Sequence, residues 1–251
     1  MSIVILIVAL AGSLMFIIEY RSPGRPWPVV RTWIARAVAI NAIQASVIFI
    51  SGLTWNRWLS EYSLLHVATG SVWSDAALTY FVITFVFYWW HRWRHEIPHL
   101  WLWLHQLHHS PKRLELLTTF YKHPVEILLD SVLSSLIAYT ILGASTQAAT
   151  LAFVMTGLAE MFYHWNIRTP RWLGYFIQRP ESHCVHHQTG VHRYNYSDLP
   201  IWDMLFGTFK NPRIFTRECG FNQDREQRMG EMLRGRNVLH SDPFTYKPKS
   251  S

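Results

Sequence analysis

Cysteine and charge are both scarce in this chain of 251 residues. The two cysteines, Cys184 and Cys219, are too few for a disulfide framework or for a zinc site built from several thiolates. Charged residues make up 16% of the chain and apolar residues 50%, whereas soluble domains carry about 25% charged residues. The composition therefore argues against a disordered chain and favours one that folds in an apolar environment.

The formal net charge of +7 is the one feature that suggests nucleic acid as a partner. The basic residues, however, flank apolar runs instead of spreading along one face, which is the placement that membrane topology imposes. We therefore expect no nucleic-acid partner.

Long apolar runs predict helices that cross a membrane, because a spanning helix needs about 20 consecutive apolar residues. Each run is read as a helix and not as a strand, which predicts an all-α integral membrane bundle of about four to five membrane helices in a single domain over 1–251. A polar tail is expected after the histidine-rich region. The predicted boundaries are spans near 2–20, 37–55 and 76–90, a hairpin over 127–163 hinged near Gly143, a histidine-rich region over 91–208 and a tail over 216–251.

The orientation follows from the arginines between the first two spans, since loops rich in Lys and Arg stay in the cytoplasm. These are Arg21, Arg25, Arg31 and Arg36. With that loop inside, every histidine-rich segment lies on the cytoplasmic face. A bacterial inner membrane is the favoured location, and the endoplasmic reticulum is the alternative because Lys247-x-Lys249 near the C-terminus resembles a retrieval signal.

Fourteen histidines are present, and eight of them form three clusters with helical spacing. Spacings of three and four residues bring side chains onto one helix face, so we expect each cluster to converge there. Imidazole suits transition metals rather than Mg²⁺ or Ca²⁺, and eight nitrogens exceed one tetrahedral site, which favours two metal ions. The clusters are His91 with His95, His105 with His108 and His109, and His183 with His186 and His187.

Three further residues are candidates for the same centre. His164 ends the last apolar run, and Glu160 precedes it by one helical turn, so that an imidazole and a carboxylate face the same side. His123 opens the hairpin and is either a ligand or a group that orients one.

With these histidine clusters, the sequence resembles the fatty acid hydroxylase/sterol desaturase superfamily of integral-membrane di-iron proteins. The resemblance covers about 91–208 and rests on the order of its motifs, with one departure at Ser197, where the family usually carries Gly. These motifs are His91-xxx-His95, His105-xx-His108-His109, His123-Pro124-x-Glu126, His164-x-Asn166, His183-xx-His186-His187, Asn195-Tyr196 and the run WDMLFGT over 202–208.

The resemblance implies a cytoplasmic His-rich cap with two Fe ions, and hydroxylation of a lipid C–H bond with O2 and electrons from an external donor. The lipid would be a fatty acyl chain, a sterol or a related molecule. Asn166, Asn195 and Asp203 are expected beside the ligands, with Asp203 accepting a hydrogen bond from a ligand histidine. A ferredoxin or a cytochrome b5-like protein would donate the electrons at a basic rim made of Arg92, Arg94, Lys112, Arg113, Lys122 and Arg193.

Alternatives of two kinds remain. Within the oxygenases, the same centre in a lipid desaturase would remove a second hydrogen instead of adding a hydroxyl group. From a different class, a membrane protein that only binds haem or transports metal would place its histidines in facing spans or near the bilayer midplane. The oligomeric state is left open.

Overall fold

The computed structural model describes residues 2–67 and 69–239, and all of the regular structure within them is helical, which confirms the all-α class. Short π-helical stretches occupy Trp101–His105 and Leu136–Ile141. The α-helices in these ranges are α1 Ser2–Arg21, α2 Trp33–Leu53, α3 Trp55–Leu59, α4 Val72–Glu96, α5 Pro98–Leu100, α6 Gln106–His109, α7 Pro124–Ser135, α8 Thr146–His164, α9 Pro180–His186, α10 Pro200–Leu205 and α11 Met229–Met232.

Three helices of the described chain are long and apolar enough to cross a membrane: Trp33–Leu53, Val72–Glu96 and Pro124–Ile141. They coincide with the second and third predicted spans and with the first arm of the predicted hairpin. Helices α1 and α8 coincide with the other predicted spans, and their crossing of the membrane stays a prediction.

Helices α4 and α8 pack closely because small side chains line their contact. Ala76 lies against Ala148 and Ala149 in one buried cluster, and their small volume lets the two backbones approach. The hairpin turns at Gly143, whose φ of +66° suits glycine, and a Cβ atom there would collide with the Leu65 carbonyl oxygen. The turn therefore fixes the arm that carries His164.

Two largely buried ion pairs connect the loop before α2 and the first turn of α2 with the C-terminal half of the chain. Arg25 pairs with Glu181 at 3.1 Å, and Arg36 pairs with Glu226 at 3.1 Å. The arginine-rich loop and the histidine-rich segments thus share one side of the bundle, as the charge pattern predicts. That this side is cytoplasmic stays a prediction.

The segment after residue 216 is not the simple polar tail that the sequence suggests. Phe221, Met232 and Val238 are buried in a cluster with Trp33 and Tyr121, so a few well-spaced apolar side chains anchor an otherwise polar stretch. The predicted tail over 216–251 is thus packed onto the bundle as far as residue 239. His240 and Lys247-x-Lys249 lie outside the described residues.

Candidate metal centre

Nine histidines form two adjacent groups on the side of the bundle that carries the arginine-rich loop. Within each group, one ring nitrogen per residue lies within 4.8 Å of the others. The five-histidine group is His91, His95, His105, His109 and His186, and the four-histidine group is His108, His164, His183 and His187.

The two HxxHH clusters each contribute to both groups, so their three rings do not converge on one face as expected. His105 and His109 join the five-histidine group, whereas His108 joins the other. The reason is helix geometry: at about 100° per residue, side chains at i+3 and i+4 flank the direction of residue i on opposite sides. The same spacing over 183–187 puts His186 in the five-histidine group and its cluster partners in the other.

In five of the rings, the Nδ1 atom contacts a carbonyl, amide or carboxylate oxygen, which accepts a hydrogen bond. Nδ1–H therefore donates, and in a neutral imidazole the Nε2 atom keeps a lone pair. The acceptors are the Tyr196 carbonyl for His91 at 2.7 Å, Glu126 Oε1 for His105 at 2.8 Å, the Glu160 carbonyl for His164 at 2.8 Å, Gln178 Oε1 for His183 at 2.7 Å and the Tyr194 carbonyl for His186 at 2.6 Å.

Burial keeps these rings neutral. Loss of water around His186 lowers the pKa of its imidazole to about 3, and burial also lowers the pKa of His105 and His183 well below the ordinary value. Neutral imidazole is the form that binds a metal.

The Nε2 atoms face one another at distances too short for two lone pairs. His91 Nε2 lies 3.0 Å from His105 Nε2, and His164 Nε2 lies 3.0 Å from His183 Nε2. The buried Nε2 of His186 has no hydrogen-bond partner. A metal about 2.1 Å from each nitrogen resolves this repulsion, because adjacent ligands at right angles are then about 3.0 Å apart. The residues present therefore fit metal ions in both groups.

Two sequence candidates, His123 and Glu160, are not brought into either group. His123 caps α7 by accepting from the Val125 N–H at 3.2 Å, and its Nε2 lies 3.3 Å from the Leu233 carbonyl. The Glu160 carboxylate pairs with Lys122 Nζ at 2.8 Å, although the Glu160 backbone carbonyl holds His164.

The three predicted supporting residues contact backbone groups and not ligand rings. Asn166 fixes the loop at Arg25 by two hydrogen bonds of 3.0 and 2.9 Å. Asn195 donates to the Ser182 carbonyl at 2.8 Å and so ties the loop after α9 to that helix. Asp203 accepts from the Tyr196 N–H at 2.8 Å. The expected bond from a ligand histidine to Asp203 is replaced by this relay, because the Tyr196 carbonyl is what holds His91.

Two buried residues outside the predicted motifs support the ligands. Gln178 holds His183, and no motif contains it. His192 is buried, with its Nδ1 atom 3.2 Å from His109 Nδ1. His192 lies five residues after His187, which is outside the helical spacing of that cluster. A loop with a φ of +43° at His192 brings the ring back to the site.

A cavity of about 30 Å³ opens beside the two groups, between α4 and α8. Its lining combines apolar and weakly polar side chains of α4 and α8 with charged side chains and with rings of both histidine groups. Its lining consists of Ile83, Thr84, Phe87, His91, Arg94, His105, His108, Lys122, Thr156, Glu160, Tyr163, His164, His183, Tyr196 and Asp198.

Comparison with known proteins agrees with this geometry. The family described as fatty acid hydroxylase matches residues 76–208, a range that contains all nine grouped histidines. The chain belongs to the fatty acid hydroxylase family. This membership assigns it to the oxidoreductases, and the superfamily expected from the motifs is confirmed.

Individual relatives match this chain over only part of their own length. The chain is 27% identical to a fatty acid hydroxylase, vlmA, of Lecanicillium sp over 79% of this chain and 55% of the relative. It is 34% identical to the ornithine lipid hydroxylase OlsE of Rhizobium tropici over 62% and 46%. It is 32% identical to the alkylglycerol monooxygenase of Homo sapiens over 60% and 34%.

The chain thus spans about half the length of these curated relatives or less. No solved structure matches it.

Proposed function

We propose that this chain binds two iron ions, one in each histidine group, and hydroxylates a C–H bond of a membrane lipid with O2. The single observation that supports the metal sites is the convergence of unprotonated Nε2 atoms in both groups. The ligands we assign are the nine grouped histidines; His123 and Glu160 are not among them.

Iron is the metal that we assign, because the family resemblance implies it and imidazole suits it, whereas zinc has no redox chemistry. Bound iron would supply the O2 reduction and C–H oxidation that protein side chains cannot perform. The balanced reaction takes R–H, O2, two electrons and two protons to R–OH and water. The names of the relatives given above, hydroxylases and a monooxygenase, support this reaction over desaturation.

The chain's own residues position the ligands and exclude water. Glu126 accepts a hydrogen bond from His105 Nδ1. The ion pair between Glu126 and the buried Arg94 compensates both charges. The acceptors on His91, His164 and His183 fix those rings in one tautomer. Such partners make the imidazoles better ligands and hold the centre rigid.

The cavity marks where we place the substrate carbon. Ile83 and Phe87 come from α4 and offer apolar contact, and His91 and His164, one from each group, also line the space. A methylene group at this position would lie beside both proposed metal sites. A lipid would reach it from the bilayer, since α4 is a candidate spanning helix.

The electrons come from outside the chain in this proposal, from a ferredoxin or a cytochrome b5-like protein. The basic rim that the sequence suggested as its docking site is smaller than expected. Arg94 and Lys122 are buried and pair with carboxylates, whereas Arg193 is exposed. Docking at the remaining rim stays a prediction.

Product analysis tests the reaction. Lipids from cells that express the chain under heavy-isotope O2 should contain a species with one added oxygen atom carrying the label, and the His164→Ala variant should lack it. The matched control is His66→Ala, since His66 is exposed and contacts Ser63. A product that has lost two hydrogens without label would favour the desaturase, and no new product would contradict the proposal.

A further inference from the structure

The short helix α10 packs along α4. Trp202 of α10 packs its ring against Phe81 and Phe85 of α4, each at a centroid distance of 4.9 Å. Its Nε1 atom donates to Thr84 Oγ1 at 3.0 Å. These α4 residues belong to a candidate spanning helix, so α10 lies beside a membrane-crossing segment.

The depth of this contact follows from helix geometry. Phe81 and Phe85 precede His91 by ten and six residues, which is about 15 and 9 Å along an α-helix. The apolar run of α4 ends where His91 begins. With the boundary of the hydrocarbon layer near His91, Trp202 lies about 9–15 Å inside a layer that is about 30 Å thick.

The chain enters and leaves this depth on the same side. Before α10, the ring of Tyr196 lies 5.5 Å from that of His91. After α10, Phe206 stacks on Tyr88 at 5.1 Å, which is higher on α4 than Phe81. The segment over 196–206 is therefore a re-entrant loop that descends along α4 and returns.

The outer face of α10 carries no charge. Ile201, Met204 and Leu205 are 48%, 42% and 66% exposed. The carboxylate of this helix, Asp203, is buried and accepts from the Tyr196 and Ser197 N–H groups. Exposed Phe81 and Phe85 continue the apolar surface onto α4, so that α10 extends the lipid-facing surface of a spanning helix.

Several backbone groups of the re-entrant loop are hydrogen-bonded within the protein, as a segment without access to water requires. Gln178 Nε2 donates to the Ser197 carbonyl at 2.7 Å, and the Ser197 hydroxyl donates to the Thr84 carbonyl at 3.3 Å. The N–H groups of Phe206 and Thr208 donate to carbonyls of α10, at 3.0 and 2.8 Å.

We propose that α10 is immersed in the hydrocarbon region of the membrane and that Ile201, Met204 and Leu205 contact lipid acyl chains. The occupant of this surface is lipid, because the surface is continuous with α4 and has no charged group for a soluble partner. The inference concerns the membrane contact alone and does not depend on the metal or on the reaction.

Site-directed spin labelling in lipid nanodiscs tests the proposal. Labels at L205C and I201C are compared with I48C on the exposed face of α2 and with R193C on an exposed loop. The unsubstituted chain is the blank for labelling, since Cys184 and Cys219 are buried. Size-exclusion profiles and circular dichroism show that each variant is folded.

We expect both α10 labels to collide more often with O2 than with a water-soluble nickel complex. Their ratio of O2 to nickel collision rates should be close to that of the I48C label. Nickel accessibility like that of R193C at both positions would overturn the proposal. Shielding from both reagents, together with dipolar broadening between labels, would overturn it in favour of a contact between two copies of the chain.

Discussion

The Nε2 atoms of His164 and His183 lie 3.0 Å apart, although the Nδ1 atom of each ring donates to an oxygen. Both Nε2 atoms therefore carry lone pairs directed into the same space. Neither ring can donate to the other, and burial opposes a second proton on either of them. A cation between the nitrogens would remove this repulsion, which is why we assign metal ligands from geometry as well as from spacing.

Removal of one ligand should reduce the metal content. In the His183→Ala variant, the four-histidine group loses one of its nitrogens, and we expect iron per chain to fall to roughly half, with the five-histidine group still loaded. Elemental analysis of the purified variant measures this. His99→Ala is the control, because His99 is exposed. Unchanged iron in the His183 variant would contradict the assignment of that group.

Gln178→Leu should weaken iron binding without removing a ligand. It deletes the acceptor for His183 Nδ1, and the loss of such partners typically lowers metal affinity about 10- to 100-fold. Competition with a chelator gives the affinity, and Gln227→Leu at an exposed position is the matched control. If the two variants bind iron equally, Gln178 does not position His183.

The buried pair between Arg36 and Glu226 should stabilise the fold. Glu226→Ala leaves Arg36 buried without its carboxylate, which typically costs about 3–5 kcal/mol. Thermal unfolding in detergent should therefore shift to clearly lower temperature. Glu231→Ala removes an exposed pair with Arg228 and should change little. Equal shifts would show that residues 216–239 are not anchored as described.

Gly143→Ala should destabilise the hairpin between α7 and α8. Alanine at a φ of +66° costs about 1–3 kcal/mol, and its Cβ atom would also approach the Leu65 carbonyl. Gly157→Ala is the control, because a Cβ atom there meets nothing within 4 Å. A lower unfolding temperature is expected for the first variant only. If both variants unfold like the unsubstituted chain, the turn has room for a side chain.

Much of the architecture could be predicted from the sequence because local patterns determine it. The apolar runs mark α2, α4 and α7, and the hinge was expected where Gly143 turns the chain. The histidine spacing identified eight of the nine grouped rings, and the end of the last apolar run supplied His164.

What could not be predicted depends on contacts between distant segments. Spacing alone does not say that His108 and His109 join different groups, since that depends on where α8 and α9 lie. Gln178 has no motif, and Trp202 reads as part of a cytoplasmic cap until its contacts with α4 are known. Phe221 and Met232 are too few for a hydropathy signal, yet they anchor the C-terminal segment.

The metal content of the intact chain tests the central claim most directly. Protein purified in mild detergent from iron-supplemented cells should contain about two metal ions per chain, with no haem absorption band. Iron should predominate, and reconstitution with ferrous iron should replace any zinc acquired during purification. One metal ion or none in folded protein, or a haem band, would contradict the two-site centre.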